Sequence, residues 1–193
     1  MSNITLSLDK IQVLKNRKHW NLYLIMVINH PTNDSKKLVR IIPDGHFINF
    51  KKQTDDSYSF VPNGGSTGDG LEMISMDEPQ SNTLDVQVYV KNHEGIKKFM
   101  SVLESIKGDL KSQTPKNLPG IAGKVATSSW LSVSGKALDA VGGVINDIPD
   151  RNMGMLSMGL DLTKSPPKSG LQTFSNKTTT GEVELTWSWL LDS

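Results

Sequence analysis

The sequence predicts a mainly β fold, an antiparallel β-sandwich of about eight strands that carries a two-helix insertion. Three observations lead there. Apolar and polar residues alternate at both ends of the chain, most cleanly in Glu182-Val-Glu-Leu-Thr-Trp-Ser-Trp-Leu-Leu191. Short apolar runs elsewhere are separated by turn residues such as Pro43-Asp-Gly45 and Asp77-Glu-Pro79. Between residues 93 and 150 the spacing changes from two to three and four, which is helical. At 193 residues the chain suits a single domain, 1–193, with 93–150 as a helical insertion within it.

The terminal strand sets the rest. Val183, Leu185, Trp187, Trp189 and Leu191 fall on one face, and Glu182, Glu184, Thr186 and Ser188 on the other. Two indole rings two residues apart need a facing wall of other strands, so this strand closes a core built from what precedes it. At the start of the chain, Ile4, Leu6 and Leu8 alternate with polar residues, then slip at Asp9-Lys10 before Ile11 and Val13. Such a slip predicts a bulge or bend. His19 to His30 is apolar on both faces and belongs in the middle of a packed structure.

Leu38 to Ile42 is a short strand ended by Pro43-Asp-Gly45. Phe47 to Phe50 and Ser57 to Val61 make a hairpin around the polar tip 51–56, and Asn63 to Gly70 is a glycine-rich loop. Leu71 to Met76 and Thr83 to Asn92 follow, the second with Leu84, Val86, Val88 and Val90 inward and Asp85, Gln87, Tyr89 and Lys91 outward. In 94–108, Ile96, Phe99, Met100, Leu103 and Ile106 mark a helix that stops at Gly108. Leu131, Ser134, Leu138, Val141, Ile145 and Ile148 mark a second, from roughly Thr127 to Asp147. Leu156, Met158, Leu160 and Leu162 return to strand spacing. Pro166-Pro167 lies in a loop, and Phe174 marks a short strand before the last one.

Composition excludes several classes of function. With 21 basic and 20 acidic residues, the net charge of +1 provides no global field for nucleic acid or an anionic membrane. Lysines at 97, 98, 107, 111, 116 and 124 are offset by Glu94, Glu104 and Asp109, and read as a solvated face. Cysteine is absent, which removes disulfides, thiolate metal sites and cysteine nucleophiles. The first residues lack the basic and apolar regions of a cleavable leader, and no apolar run approaches the ~20 residues of a spanning helix. The expected location is therefore the cytoplasm, or outside the cell by a route that needs no such leader.

Catalytic signatures are missing too. His19, His30, His46 and His93 have no ligand spacing, Gly-x-Ser-x-Gly does not occur, and the 63–70 loop lacks the Gly-Lys-Ser/Thr of a phosphate-binding loop. No catalytic residue is expected. For metals, Asp55 and Asp56 sit at the hairpin tip, Asp69 in the glycine loop, and Asp77 and Glu78 at the next turn. If these loops gather at one end of a sandwich, they supply several of the 6–8 oxygens that calcium takes. None of these stretches matches a contiguous EF-hand loop.

About eight strands, end loops with carboxylates and the terminal strand Gly181-Glu-Val-Glu-Leu-Thr-Trp187 together resemble the C2 and C2-like domains, over residues 1–92 and 153–193. That resemblance implies calcium held by loop aspartates and docking on phospholipid headgroups. The positions it would assign to metal are Asp55, Asp56, Asp69 and Asp77. The second helix offers another contact, because Trp130, Leu131, Leu138 and Val141 form an apolar stripe beside small residues.

The expected function is a non-catalytic C2-like interaction module that docks on a membrane surface or a protein partner, with calcium as its candidate cofactor. A structural subunit of a larger assembly is the first alternative. A hydrolase using acidic loop residues is the second.

Overall fold

The structure, a computed structural model, describes residues 3–15, 20–29, 36–43, 48, 50–52, 58–62, 70–77, 83–93, 131–132, 145, 148, 150–161 and 170–192. Every statement of absence below refers to these described residues. Thirteen strands occur among them: β1 (Asn3–Val13), β2 (Leu22–Asn29), β3 (Lys36–Ile42), β4 (Lys51–Lys52), β5 (Tyr58–Phe60), β6 (Leu71–Asp77), β7 (Thr83–Leu84), β8 (Val86–Asn92), β9 (Leu131–Ser132), β10 (Arg151–Ser157), β11 (Leu160–Asp161), β12 (Gly170–Lys177) and β13 (Val183–Asp192). The six-stranded sheet A runs β12-β13-β1-β5-β4, with β6 also on β1. The five-stranded sheet B runs β10-β8-β2-β3-β9, and β11 pairs β7 separately. All pairings are antiparallel.

The sheets face each other in a sandwich-like arrangement across one apolar core. Ile4, Leu6, Leu8, Val183, Leu185, Trp187 and Trp189 of sheet A meet Leu22, Leu24, Met26, Ile28, Val86, Val88 and Val90 of sheet B. Each fully buried side chain of this size contributes roughly 1.5–3 kcal/mol relative to exposure. Trp189 also donates its Nε1–H to the Met158 carbonyl at 3.0 Å, so the large ring is polar-satisfied inside the core.

The slip expected at Asp9-Lys10 is real. The pairing of β1 with β13 shifts between Leu8 and Lys10, which lets Leu8 and Ile11 both turn inward. Gly70 packs against that bend, where an added Cβ would lie 2.4 Å from the Leu8 carbonyl oxygen. Strand β2 is dry on both sides, as its apolar run requires. Its second face, Tyr23, Ile25 and Val27, lies under Ile145 and Ile148.

Several expectations need correction. The Thr83–Asn92 stretch is two strands, divided at Asp85, with β7 joined to β11 rather than to sheet B. Of the strand expected over Phe47 to Phe50, positions 47 and 49 lie outside the described residues. Ile48 makes a single bridge to Leu22, and the hairpin instead joins β4 to β5. Strand character after the insertion begins at Arg151, earlier than expected.

The two-helix insertion is not supported. Residues 94–108, and with them the whole first helix, lie outside the described residues. The second expected helix covers Leu131–Ser132, which pairs antiparallel with Lys37 and Lys36 as β9. The local reason is visible in Leu131-Ser-Val-Ser134, which alternates apolar and polar and so satisfies a period of two as well as a helical one. Ile145 does have helical geometry, within the second span.

Candidate interaction edge

An open sheet must end somewhere, and its ends present unpaired N–H and C=O groups. Sheet A ends at β12, β4 and β6 and sheet B at β10 and β9, and all of these but β12 are short or interrupted among the described residues. β4 and β9 are two residues long, and β6 shifts register opposite Leu6–Ser7, where its Met73 carbonyl accepts from Arg40 Nη1 at 2.6 Å. At the other edge of sheet B, β10 has a register break between Asn152 and Met155 and a glycine, Gly154, at a φ of 99°. Its outer side is also occupied, since Thr179 donates its N–H to the Met155 carbonyl at 3.0 Å and Met155 donates to Thr179 Oγ1 at 3.1 Å.

Strand β12 is different. It is eight residues long and pairs β13 one for one from Gly170↔Leu191 to Lys177↔Glu184, with no bulge. It contains no proline, and its single charge is Lys177. No described strand lies on its outer side.

The direction of its free groups follows from the turn. Thr178 donates its N–H to the Val183 carbonyl at 2.8 Å, which makes that pair a bonded one. Antiparallel ladders alternate bonded and non-bonded pairs. Even-numbered residues of β12 thus spend their main-chain groups on β13, and Leu171, Thr173, Ser175 and Lys177 aim theirs outward, the Lys177 N–H donating to Asn176 Oδ1 at 2.8 Å.

The side chains match this openness. Leu171 is 41% exposed on the outer face, and Phe174 is 39% exposed on the face that continues the core. Phe174 stacks on Trp187 with ring centroids 5.8 Å apart. It therefore extends the core past the cover of sheet B, leaving an aromatic ledge beside free main-chain groups. On the other face, Ser175 Oγ donates to Glu184 at 3.0 Å and lies 3.2 Å from Thr186 Oγ1.

The hairpin that carries this edge is firmly seated. Thr178 and Thr180 both donate hydroxyl protons to the Met153 carbonyl, at 2.8 and 2.6 Å. Next to them, Arg151 grips both carboxylate oxygens of Glu182 at 2.9 and 3.0 Å, and Lys15 binds the same group. Chiefly through the Lys15 hydrogen bond, the Glu182 carboxyl is held below the usual carboxylate range; burial works against this, and the charges of Arg151 and Lys15 add to it. The hairpin turn is thus fastened to sheet B.

A second polar constellation lies inside. Asp150 accepts from the Tyr23 hydroxyl at 2.7 Å and lies 2.8 Å from His93 Nδ1. Lys91, opposite Tyr23 in the β2–β8 pairing, is 1% exposed, and His93 is 2% exposed. Lys91 points to the face expected to be wet, but Ile145 and Ile148 cover the neighbouring part of that face, so the expectation of a solvated lysine is overturned. Burial pulls the Lys91 ammonium below the ordinary lysine range, with the Asp150 charge opposing it. Burial also drives the Tyr23 phenol far above its ordinary value, reinforced by the hydrogen bond and charge of Asp150. These residue types could serve acid–base chemistry, yet all lie in the interior. What the arrangement does is tie Asp150 to β2 and to the residue that follows β8.

Most of the residues singled out in the sequence fall outside the part of the chain that the structure describes. Asp55, Asp56 and Asp69 lie outside the described residues, as do Trp130, Leu138 and Val141. Asp77 ends β6 opposite Asn3, and Leu131 stands in β9 rather than on a helix. Among the described residues no three His, Cys, Asp or Glu converge, and no helix is long and apolar enough to cross a membrane. Sequence reasoning missed the β12 edge, seeing only a short strand at Phe174. The available signal was the Thr178-Thr-Thr-Gly181 turn, which makes the preceding polar stretch the first arm of a hairpin. No protein-family model matches the chain, and no curated protein matches it.

Proposed function

We propose that the protein is a non-catalytic interaction module that holds a protein partner by strand addition at β12. The observation that carries this reading is the regular, unprotected outer edge of that strand, with Leu171 and Phe174 exposed beside it. In strand addition the main chain supplies affinity and alternate side chains supply selectivity. Here the outward N–H and C=O groups of Leu171, Thr173 and Ser175 supply the first, with the Lys177 carbonyl, and the Phe174 ledge the second. Natural sheets normally protect a long edge with charge, proline or a bulge, and β12 has only its terminal lysine.

The membrane and calcium version of the module rests on Asp55, Asp56, Asp69 and Asp77 and on the stripe Trp130, Leu131, Leu138 and Val141. Of these only Asp77, at the end of β6, and Leu131, in β9, are described, and they belong to different sheets, whereas the protein-partner version draws on β12 alone.

A photo-crosslinking amino acid at Thr173, installed in the cells that make the protein, tests the reading. A covalent adduct with another polypeptide is expected from position 173, and none from the exposed position Glu72 of β6. Equal labelling from both positions, or none from 173, would refute docking at this edge.

A further inference from the structure

We infer that the strand added to β12 is the β12 of a second copy of this chain, paired antiparallel about a two-fold axis through Phe174. The inference rests on the docking reading above and names its partner. A two-fold axis perpendicular to the sheet keeps the same face inward in both copies, and it allows only registers in which one strand pairs with its own reverse. The outward groups of β12 belong to its odd-numbered residues, so odd positions must meet odd positions.

Centring on Phe174 satisfies that condition and pairs like with like. Thr173 meets Ser175 of the second copy, and Leu171 meets Lys177. The outward N–H and C=O groups of Leu171, Thr173 and Ser175 then have partners, and the Lys177 N–H, which donates to Asn176 Oδ1 at 2.8 Å, would exchange that local bond for the Leu171 carbonyl of the second copy. Phe174 meets Phe174 in a non-bonded pair, where cross-strand Cα atoms come within about 4.5 Å and side chains touch most closely. Gln172 and Asn176 become cross-strand amide neighbours on the same face. The only charge on the strand, Lys177, falls opposite an apolar residue rather than another lysine.

Moving the axis by one residue weakens this fit. An axis at Thr173 sets Phe174 opposite Gln172 and takes Lys177 beyond the strand, and an axis at Ser175 separates the phenylalanines again. The register at Phe174 is the one that joins the two exposed aromatic ledges, each already stacked on its own Trp187. The two copies of sheet A would then form one continuous sheet through a closed, isologous contact.

Sedimentation of the intact protein over a concentration series tests this. The wild-type chain is expected to reach twice its 21.2 kDa and to dissociate on dilution. Leu171→Lys sets lysine opposite lysine at both ends of the symmetric pair, and should raise the dissociation constant about tenfold. Adding Lys177→Glu to that variant turns each clash into an opposite-charge pair and should restore the dimer. Thr173→Pro removes an outward N–H without touching the β13 ladder, and should give a folded monomer.

Wild-type protein that stays monomeric at every concentration would overturn the inference, as would a Leu171→Lys dimer unchanged in affinity or not rescued by Lys177→Glu. A monomer whose position 173 crosslinks a different polypeptide defeats the second-copy pairing and leaves strand addition standing. A monomer that crosslinks nothing defeats both.

Discussion

At the scale of single residues, several polar groups inside this protein are held by specific partners, and these contacts can be tested. Trp189 is core by size but donates to Met158, so Trp189→Phe leaves that carbonyl short of a partner. We expect a loss of about 1–3 kcal/mol in urea unfolding, with an unchanged denaturant slope. Tyr23→Phe removes one of the two donors seen on the Asp150 carboxylate, and a loss of the same order, about 1–3 kcal/mol, is expected. Gly154 combines a φ of 99° with a site where a Cβ would come within 2.9 Å of the Thr178 Cβ and the Thr180 nitrogen. Gly154→Ala should therefore lower the melting temperature through both backbone strain and displacement of the hairpin.

Glu182 gives a pH dependence with a definite sign. Its folded pKa lies below the unfolded one, so its contribution is complete above the ordinary glutamate range and disappears as pH falls through the depressed value. Thermal unfolding followed from neutral to acid pH should show the wild type losing more stability than Glu182→Gln over that interval. Equal slopes would mean that the Lys15 and Arg151 contacts carry no net stabilisation.

At the scale of elements, legibility followed whether a residue's neighbours lie in the same stretch of sequence. The bulge at Asp9-Lys10, the two-sided burial of β2 and the inward set of Trp187 and Trp189 are each written in local periodicity, because one stretch carries the whole pattern. Lys91 shows where this fails. Its parity puts it on the outward face of β8 as expected, but whether that face is wet depends on Ile145 and Ile148, more than fifty residues further along. β9 was hidden because Leu131-Ser-Val-Ser134 fits two periods, and the choice was made by the strand edge at Lys36 and Lys37. β12 was nearly invisible for a related reason. Its order comes from main-chain bonds to β13, and a strand held that way needs almost no apolar side chains of its own.

The candidate calcium site belongs to the same lesson. A scattered set of loop aspartates becomes a site only when tertiary structure gathers the loops, and sequence spacing is silent on that. The β12 edge was legible only through the hairpin turn that follows it, while its exposure depends on the reach of the opposite sheet.

At the scale of the molecule, the two sheets are joined by the shared core and also by the hairpin tip, where the Thr178, Thr180 and Glu182 contacts meet β10 and Arg151. Glu182→Ala should therefore loosen β12 as well as lower stability. In hydrogen exchange, faster labelling of the β12–β13 amides is expected, with the β2–β8 pair unaffected. Uniform acceleration across both sheets would instead indicate a purely global destabilisation.

The fastening of that hairpin also bears on mechanics. Ladder bonds lie crosswise to the strands, so a tug along β12 from an attached polypeptide shears many of them at once instead of unzipping them singly. Tension entering at this margin would spread through β13 and β1 and cross to the opposite layer at Met153 and Arg151. A pull along this strand would therefore load both layers of the sandwich at once.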